Sequence, residues 1–134
     1  MDKRELVAKA IEGRSLAYTP YSKFKVGAAI LLKNGTYITG CNIENVSYGL
    51  SNCAERTTLF KMVSSGYTKE DVLAMAVVAD TASPVSPCGA CRQVMAELLH
   101  KDTLVLLANL NYDIKETSVE ELLPYGFEEI ENAD

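Results

Sequence analysis

The chain has 134 residues, 48% hydrophobic and 23% charged, with a net charge of −5 at neutral pH; this describes one globular domain over 1–134, able to bury a core without disulfide staples. No Lys/Arg cluster stands out to grip phosphates, so nucleic acid is not the expected partner. The apolar run at 72–79 is far too short to cross a bilayer, and the first residues lack a signal-peptide core, so a cytoplasmic protein with no membrane partner is expected.

Residues 2–17 carry apolar side chains at 6, 7, 10, 11 and 17, a helical spacing, with Asp2 as N-cap and Pro20 as the stop. Residues 26–45 read as two strands around Asn34-Gly35, a hairpin turn signal. After the turn-rich 45–52, a helix is predicted over 53–66, closed by Gly66. VLAMAVVAD (72–80) reads as a strand buried on both faces. A loop (81–87), a helix (88–100) and a second apolar strand (103–110) follow. Residues 114–124 give a short strand and a short helix, with Ser118 or Thr117 as N-cap and Glu121 or Glu120 as its capping-box partner. Strands alternating with helices imply an α/β fold with a mixed sheet of about five strands, a hairpin at one side and both faces covered.

The chemistry concentrates in the cysteines. There are four, at 41, 53, 88 and 91, and a single histidine, His100. In a reducing compartment metal binding or catalysis is favoured over a disulfide framework. Cys88 and Cys91 are three apart at a predicted helix start after Pro87, and Cys53 opens another helix. Helix N-termini favour thiolate over thiol. Three thiolates meeting at one point need a cation, and sulfur ligands favour zinc. Cys41 is the one further thiol able to close a structural four-cysteine site; otherwise the fourth zinc position is left to water. Cys88-Gly-Ala-Cys91 alone also fits a redox dithiol. His100 reads as a helix C-terminal cap.

Glu55 favours the catalytic reading. Two residues apart on a regular helix do not face each other, but Cys53 at the helix boundary need not be helical. Glu55 and Cys53 can then share one cavity, where a carboxylate exchanges protons with an activated water. By itself Glu55 would merely complement a helix dipole. Arg56 and Arg92 each follow a cysteine-bearing helix start and are positioned to temper the thiolate charge and hydrogen-bond the sulfurs.

These residues carry a resemblance. CAE (53–55) followed by PCGAC (87–91), together with YSKFKVGAA (21–29), GCNIENVSYGLSNCAERT (40–57), SPCGACRQV (86–94) and ELLP (121–124) with a later aromatic, is similar to the short, homotetrameric, zinc-dependent cytidine deaminases. The resemblance implies a three-layer α/β/α sandwich and one Zn²⁺ per subunit. It implies hydrolysis of cytidine or deoxycytidine to the uridine product and ammonia, as in pyrimidine salvage. By the same resemblance Cys53, Cys88 and Cys91 are the zinc ligands and Glu55 the proton shuttle. Asn42 and Glu44 hold the ribose hydroxyls, and Phe24 and Ala54 line the base pocket. Tyr48 and Phe127 resemble residues supplied across subunit boundaries. Asn and Glu two apart on an extended segment do share a face and offer a donor and acceptors to a diol. Thr58 stands where a smaller residue is expected, a change of packing. A deaminase of modified cytosine nucleosides, such as a nucleoside antibiotic, and a structural zinc module remain as alternatives.

Overall fold

A computed structural model describes residues 1–129 of the chain; positions 130–134 of the expected 1–134 domain lie outside them. Helix α1 (Lys3–Arg14) is capped by Asp2, whose Oδ1 accepts from the N–H of Arg4 and of Glu5 at 3.0 and 3.2 Å. It buries Leu6, Val7 and Ala10. The helix ends at Arg14, well before Pro20. Tyr18 N–H donates to Asn42 O and Glu44 N–H to Tyr18 O, at 3.1 and 2.9 Å. A tertiary bridge from Tyr18 to Ile43 therefore overrides the helical spacing that runs to position 17.

Strands β1 (Val26–Leu32) and β2 (Tyr37–Cys41) form the expected hairpin. Gly35 takes φ +88° in its turn, a left-handed conformation that glycine adopts without strain. Helix α2 (Ala54–Ser64), strand β3 (Val72–Ala79), helix α3 (Gly89–Leu98), strand β4 (Leu104–Asn109), strand β5 (Ile114–Ser118) and helix α4 (Val119–Leu122) follow in order. Ser118 is the N-cap of α4, accepting from Glu121 N–H at 3.2 Å, while the Glu121 carboxylate meets the Ser118 hydroxyl.

The strands make one sheet in the order β2-β1-β3-β4-β5. Only β3 and β4 run parallel, joined through α3; the other neighbours are antiparallel, so the sheet is mixed as expected. Alternate residues of the central strands serve opposite faces. Ile30, Met75, Val77 and Val105 pack with Leu59 and Met62 of α2 and Met95 and Leu99 at the end of α3. Ala29, Ala76, Val78 and Leu106 pack under Leu6, Val7 and Ala10 of α1. The result is the α/β/α layering. Small residues on the α1 face let that helix lie close to the sheet.

Thr58 belongs to this packing. It is fully buried, and its hydroxyl donates to Ala54 O at 2.7 Å. Its room comes from Gly40 of β2, where an added Cβ would overlap the Thr58 hydroxyl and approach its Cα to 3.1 Å.

Candidate active site and metal centre

The register sets the position of the site. Val26 pairs with Ala79 and Gly27 with Cys41, so the start of β1 and the ends of β2 and β3 lie at one end of the sheet. The loop after β3 leads there into α3, and α2 begins beside it. Cys53 is the N-cap of α2, with φ −74° and ψ 156°. Cys88 is the N-cap of α3, with φ −71° and ψ 166°. Both are extended, which turns their side chains away from the helix surface. Cys91 lies on the first turn of α3, and its N–H donates to Cys88 Sγ at 3.4 Å.

The three sulfurs converge. Cys53 Sγ lies 4.0 Å from Cys88 Sγ, which is 3.3 Å from Cys91 Sγ, and all three fall within 4.8 Å of one another. Sulfurs about 2.3 Å from a tetrahedral zinc stand about 3.8 Å apart, so the spacing fits that ion. Charge points the same way. A hydrogen bond from Cys91, and next the Arg56 guanidinium, hold the Cys53 thiol down at about 5. Cys91 is pushed upward, foremost by its bond to Cys53 and then by burial. Three bare sulfurs thus share protons, whereas a dication would let all three ionise. Arg56 Nη2 donates to Cys53 Sγ at 3.4 Å, and its Nε is buried without an acceptor among the described residues. A guanidinium drawn in beside thiolates offsets the net negative charge of three thiolates on a divalent ion.

Cys41 stands apart from this cluster, buried at the end of β2. Among the described residues the metal-capable group is the three-thiolate set, which leaves a tetrahedral ion one open position. His100 is also elsewhere. Its Nε2 lies 3.1 Å from Glu70 Oε1, an exposed pair, in place of the expected helix cap.

Glu55 is 4% exposed on the first turn of α2. Burial pushes its carboxyl upward, reinforced by the charge of Cys53, while its own backbone N–H and Cys91 oppose the shift. A carboxyl biased toward its protonated form beside a metal site is suited to carrying protons in both directions.

A cleft of about 280 Å³ opens over Cys53 and Cys88, with Cys91 buried behind them. Cys53, Ala54, Glu55 and Cys88 form one wall, Val85 and Ser86 the loop side, and Ser22, Phe24, Val26, Asn42 and Glu44 the other. Asn42 is tied to the backbone here: its amide donates to Phe24 O at 2.8 Å and its Oδ1 accepts from Val26 N–H at 2.9 Å. One amide N–H and one carbonyl lone pair remain for a ligand. Glu44 Oε1 accepts from the N–H of Tyr21 and of Ser22, both at 3.1 Å, and Oε2 from the Ser22 hydroxyl. The Ser22 hydroxyl is the main reason its carboxyl sits below the usual range.

Tyr48 lies outside the cleft, exposed, with its ring edge-on to Tyr21 at 6.2 Å between centroids. Phe127 is also exposed and outside it, and its carbonyl accepts from Gln93 Nε2 at 2.9 Å. Arg92 departs from the expected role. Its nitrogens donate to oxygens, those of Pro87, Leu122 and Ser86, and to none of the sulfurs. Position 92 follows Cys91 in sequence, yet its side chain turns to the loop before Cys88 and to the end of α4. Nothing in the sequence singles out Ser22, Val26, Val85 or Ser86, which also line the cleft. YSKF and SPCGAC contain Ser22 and Ser86, but nothing local marks either as a wall of a cleft.

A mixed α/β sheet that brings three cysteine sulfurs and a buried carboxylate together beside a cleft has the parts a metal-dependent hydrolase needs. Residues 1–107 match the family model described as the cytidine and deoxycytidylate deaminase zinc-binding region. The chain belongs to the cytidine and deoxycytidylate deaminase family. It is 61% identical over 127 residues to a cytidine deaminase of Halalkalibacterium halodurans, covering 95% of each chain. It is 55% identical to one of Sporosarcina psychrophila, over 95% of this chain and 92% of that one. The crystal structure of cytidine deaminase from Burkholderia pseudomallei superposes with a TM-score of 0.92 at 49% identity, over 95% of this chain and all of that one.

Proposed function

We propose that the protein hydrolyses cytidine and deoxycytidine to uridine and deoxyuridine with release of ammonia, as a step of pyrimidine salvage. The observation that carries this reading is Glu55, nearly fully buried, in the same cleft as Cys53, Cys88 and the ionised Glu44, with the Cys91 sulfur converging on those of the two cysteines from behind the wall. Cys53, Cys88 and Cys91 would hold the zinc. Zn²⁺ bound there supplies the Lewis acidity that makes water a nucleophile at neutral pH.

The remaining chemistry belongs to the side chains. Glu55 accepts a proton from the attacking water and passes it to N3 of the ring as the new bond to C4 forms. It then helps protonate the departing amine, so one water enters and one ammonia leaves. Positioned proton transfer of this kind contributes about 10²–10⁴ in rate. Glu44 and the free N–H of Asn42 hold the sugar hydroxyls and set C4 over the metal, an orientation effect. Phe24 covers the base, and Ala54 leaves room for it.

The assembly is read as a homotetramer. The cleft of about 280 Å³ is slightly below the roughly 300–1,000 Å³ of ordinary small-molecule sites. Its wall residue Phe24 is exposed, and outside it stand exposed Tyr21, whose N–H reaches Glu44, and Tyr48 against Tyr21. A second copy would cover these rings, with Tyr48 and Phe127 supplied across the boundary. No helix of the described residues is long and apolar enough to cross a membrane, and we place the protein in the cytoplasm, where the thiolates stay reduced.

Ammonia release from cytidine, with and without a zinc chelator, tests the reading. Turnover that the chelator abolishes and added Zn²⁺ restores is expected, and chelator-resistant turnover would overturn it. A panel of modified nucleosides, free bases and single-stranded oligonucleotides fixes the substrate class; preference for any of these over cytidine would replace the proposed substrate.

A further inference from the structure

Arg92 is the residue whose geometry the reaction does not explain. Its guanidinium makes three bonds in three directions: Nε to Pro87 O at 2.9 Å, Nη2 to Ser86 Oγ at 2.7 Å, and Nη1 to Leu122 O at 2.9 Å. Two partners sit in the loop immediately before Cys88. The third is the last residue of α4, thirty positions away in sequence. Leu122 is a firm anchor, because its side chain is buried in the core shared with α3. Gln93, the next residue, ties the same C-terminal segment through Phe127 O.

The loop so held has little else to hold it. Residues 81–87 form no regular structure, and beyond Arg92 their long-range bonds are Val85 N–H to Ala108 O at 3.3 Å and Asn109 Nδ2 to Ala82 O at 3.4 Å. Both are long, and both lie upstream of Ser86. The direction in which Cys88 presents its sulfur depends on the peptide just before it, and that peptide is fixed by Arg92.

We propose that Arg92 is a positioning residue for the metal centre: it brackets the Ser86 side chain and the Pro87–Cys88 peptide to the end of α4 and thereby fixes the aim of the Cys88 thiolate. The role is geometric and not one of charge. A planar guanidinium reaches three oxygens in fixed directions, and a lysine ammonium on a flexible stem does not. The inference rests on the reading of Cys53, Cys88 and Cys91 as zinc ligands.

The test compares zinc release to a chromogenic chelator from wild-type protein and from R92K, R92Q and S86A, each loaded with one equivalent of zinc. Urea unfolding is measured alongside. Outer partners of metal ligands typically change metal affinity by about 10–100-fold, so release from R92K and R92Q should accelerate by about that factor while the zinc-free urea midpoints shift little. S86A, which removes one of the three acceptors, should show a smaller acceleration. Wild-type release from R92K would overturn the bracket in favour of charge tuning. If R92Q does not fold, R92K and S86A decide, and wild-type rates in both overturn the proposal. Wild-type protein that retains no zinc would overturn the metal-site reading and the bracket with it; zinc retained by wild type and equally by R92K overturns the bracket alone.

Discussion

Ser22 donates both its hydroxyl and its backbone N–H to the carboxylate of Glu44, twenty-two positions along the chain. With Tyr21 N–H added, the carboxylate is oriented and kept ionised, as its proposed role toward the sugar requires. A free glutamate titrates near 4.3; Glu44 titrates lower. Its ionised form therefore prevails above that lowered value, and what it contributes is lost as pH falls through it.

Ser22→Ala removes the largest cause of that shift. The Glu44 carboxyl should then protonate at a higher pH, and the acid limb of kcat/KM for cytidine should move upward. At neutral pH the KM should rise more than kcat falls, because the serine touches the binding carboxylate and not the reacting atoms. Steady-state kinetics across pH 4 to 8 check both statements.

Glu55→Gln should keep one zinc per chain and lose about 10²–10⁴ in turnover, read by metal analysis and ammonia release. A second consequence concerns stability. Burial raises the Glu55 carboxyl above its unfolded value. The folded protein therefore holds that proton longer, and its stability falls as pH rises through the interval between the two values. Glutamine has no such cost, so the metal-free variant should be more stable than metal-free wild type at neutral pH, measured by urea unfolding.

Cys88→Ala should abolish stoichiometric zinc binding, whereas Cys41→Ala should leave it intact, because Cys41 lies outside the sulfur cluster. Loss of zinc on changing Cys41 would revive the closed four-cysteine site. Metal analysis of the two purified variants decides.

Gly40→Ala should destabilise the fold by about 1–3 kcal/mol, the usual cost of overpacking, since the new methyl meets Thr58. Thr58→Ala should relieve part of that cost in the double variant. Such coupling is what residues in contact show in a double-mutant cycle, and denaturant unfolding of the four forms measures it.

The convergence of three sulfurs was legible because cysteines are rare and their spacing carries geometry. Cys53, Cys88 and Cys91 fall at two helix starts, and helix starts are marked locally by Pro87 and by the turn-rich 45–52. The mixed five-stranded sheet was legible from apolar runs and the Asn34-Gly35 turn. The end of α1 was not: whether the chain continues to Pro20 depends on Asn42 and Glu44 bonding Tyr18, which no local spacing announces. The oxygen partners of Arg92 were hidden for a related reason. Sequence places it next to a ligand, but the rotation of α3 decides which neighbours its side chain meets. The Ser22–Glu44 pair likewise depends on two loops arriving at the same end of the sheet.

The placement of the sulfurs at two separate helix caps has a further consequence in polymer terms. Cys53 and Cys88 stand thirty-five positions apart, with all of α2 and β3 between them. An ion bound to both closes that span into a ring, removing freedom from the unfolded chain much as a covalent cross-link does. The melting temperature should then climb with free zinc concentration, because an ion held by both caps would staple α2 to α3.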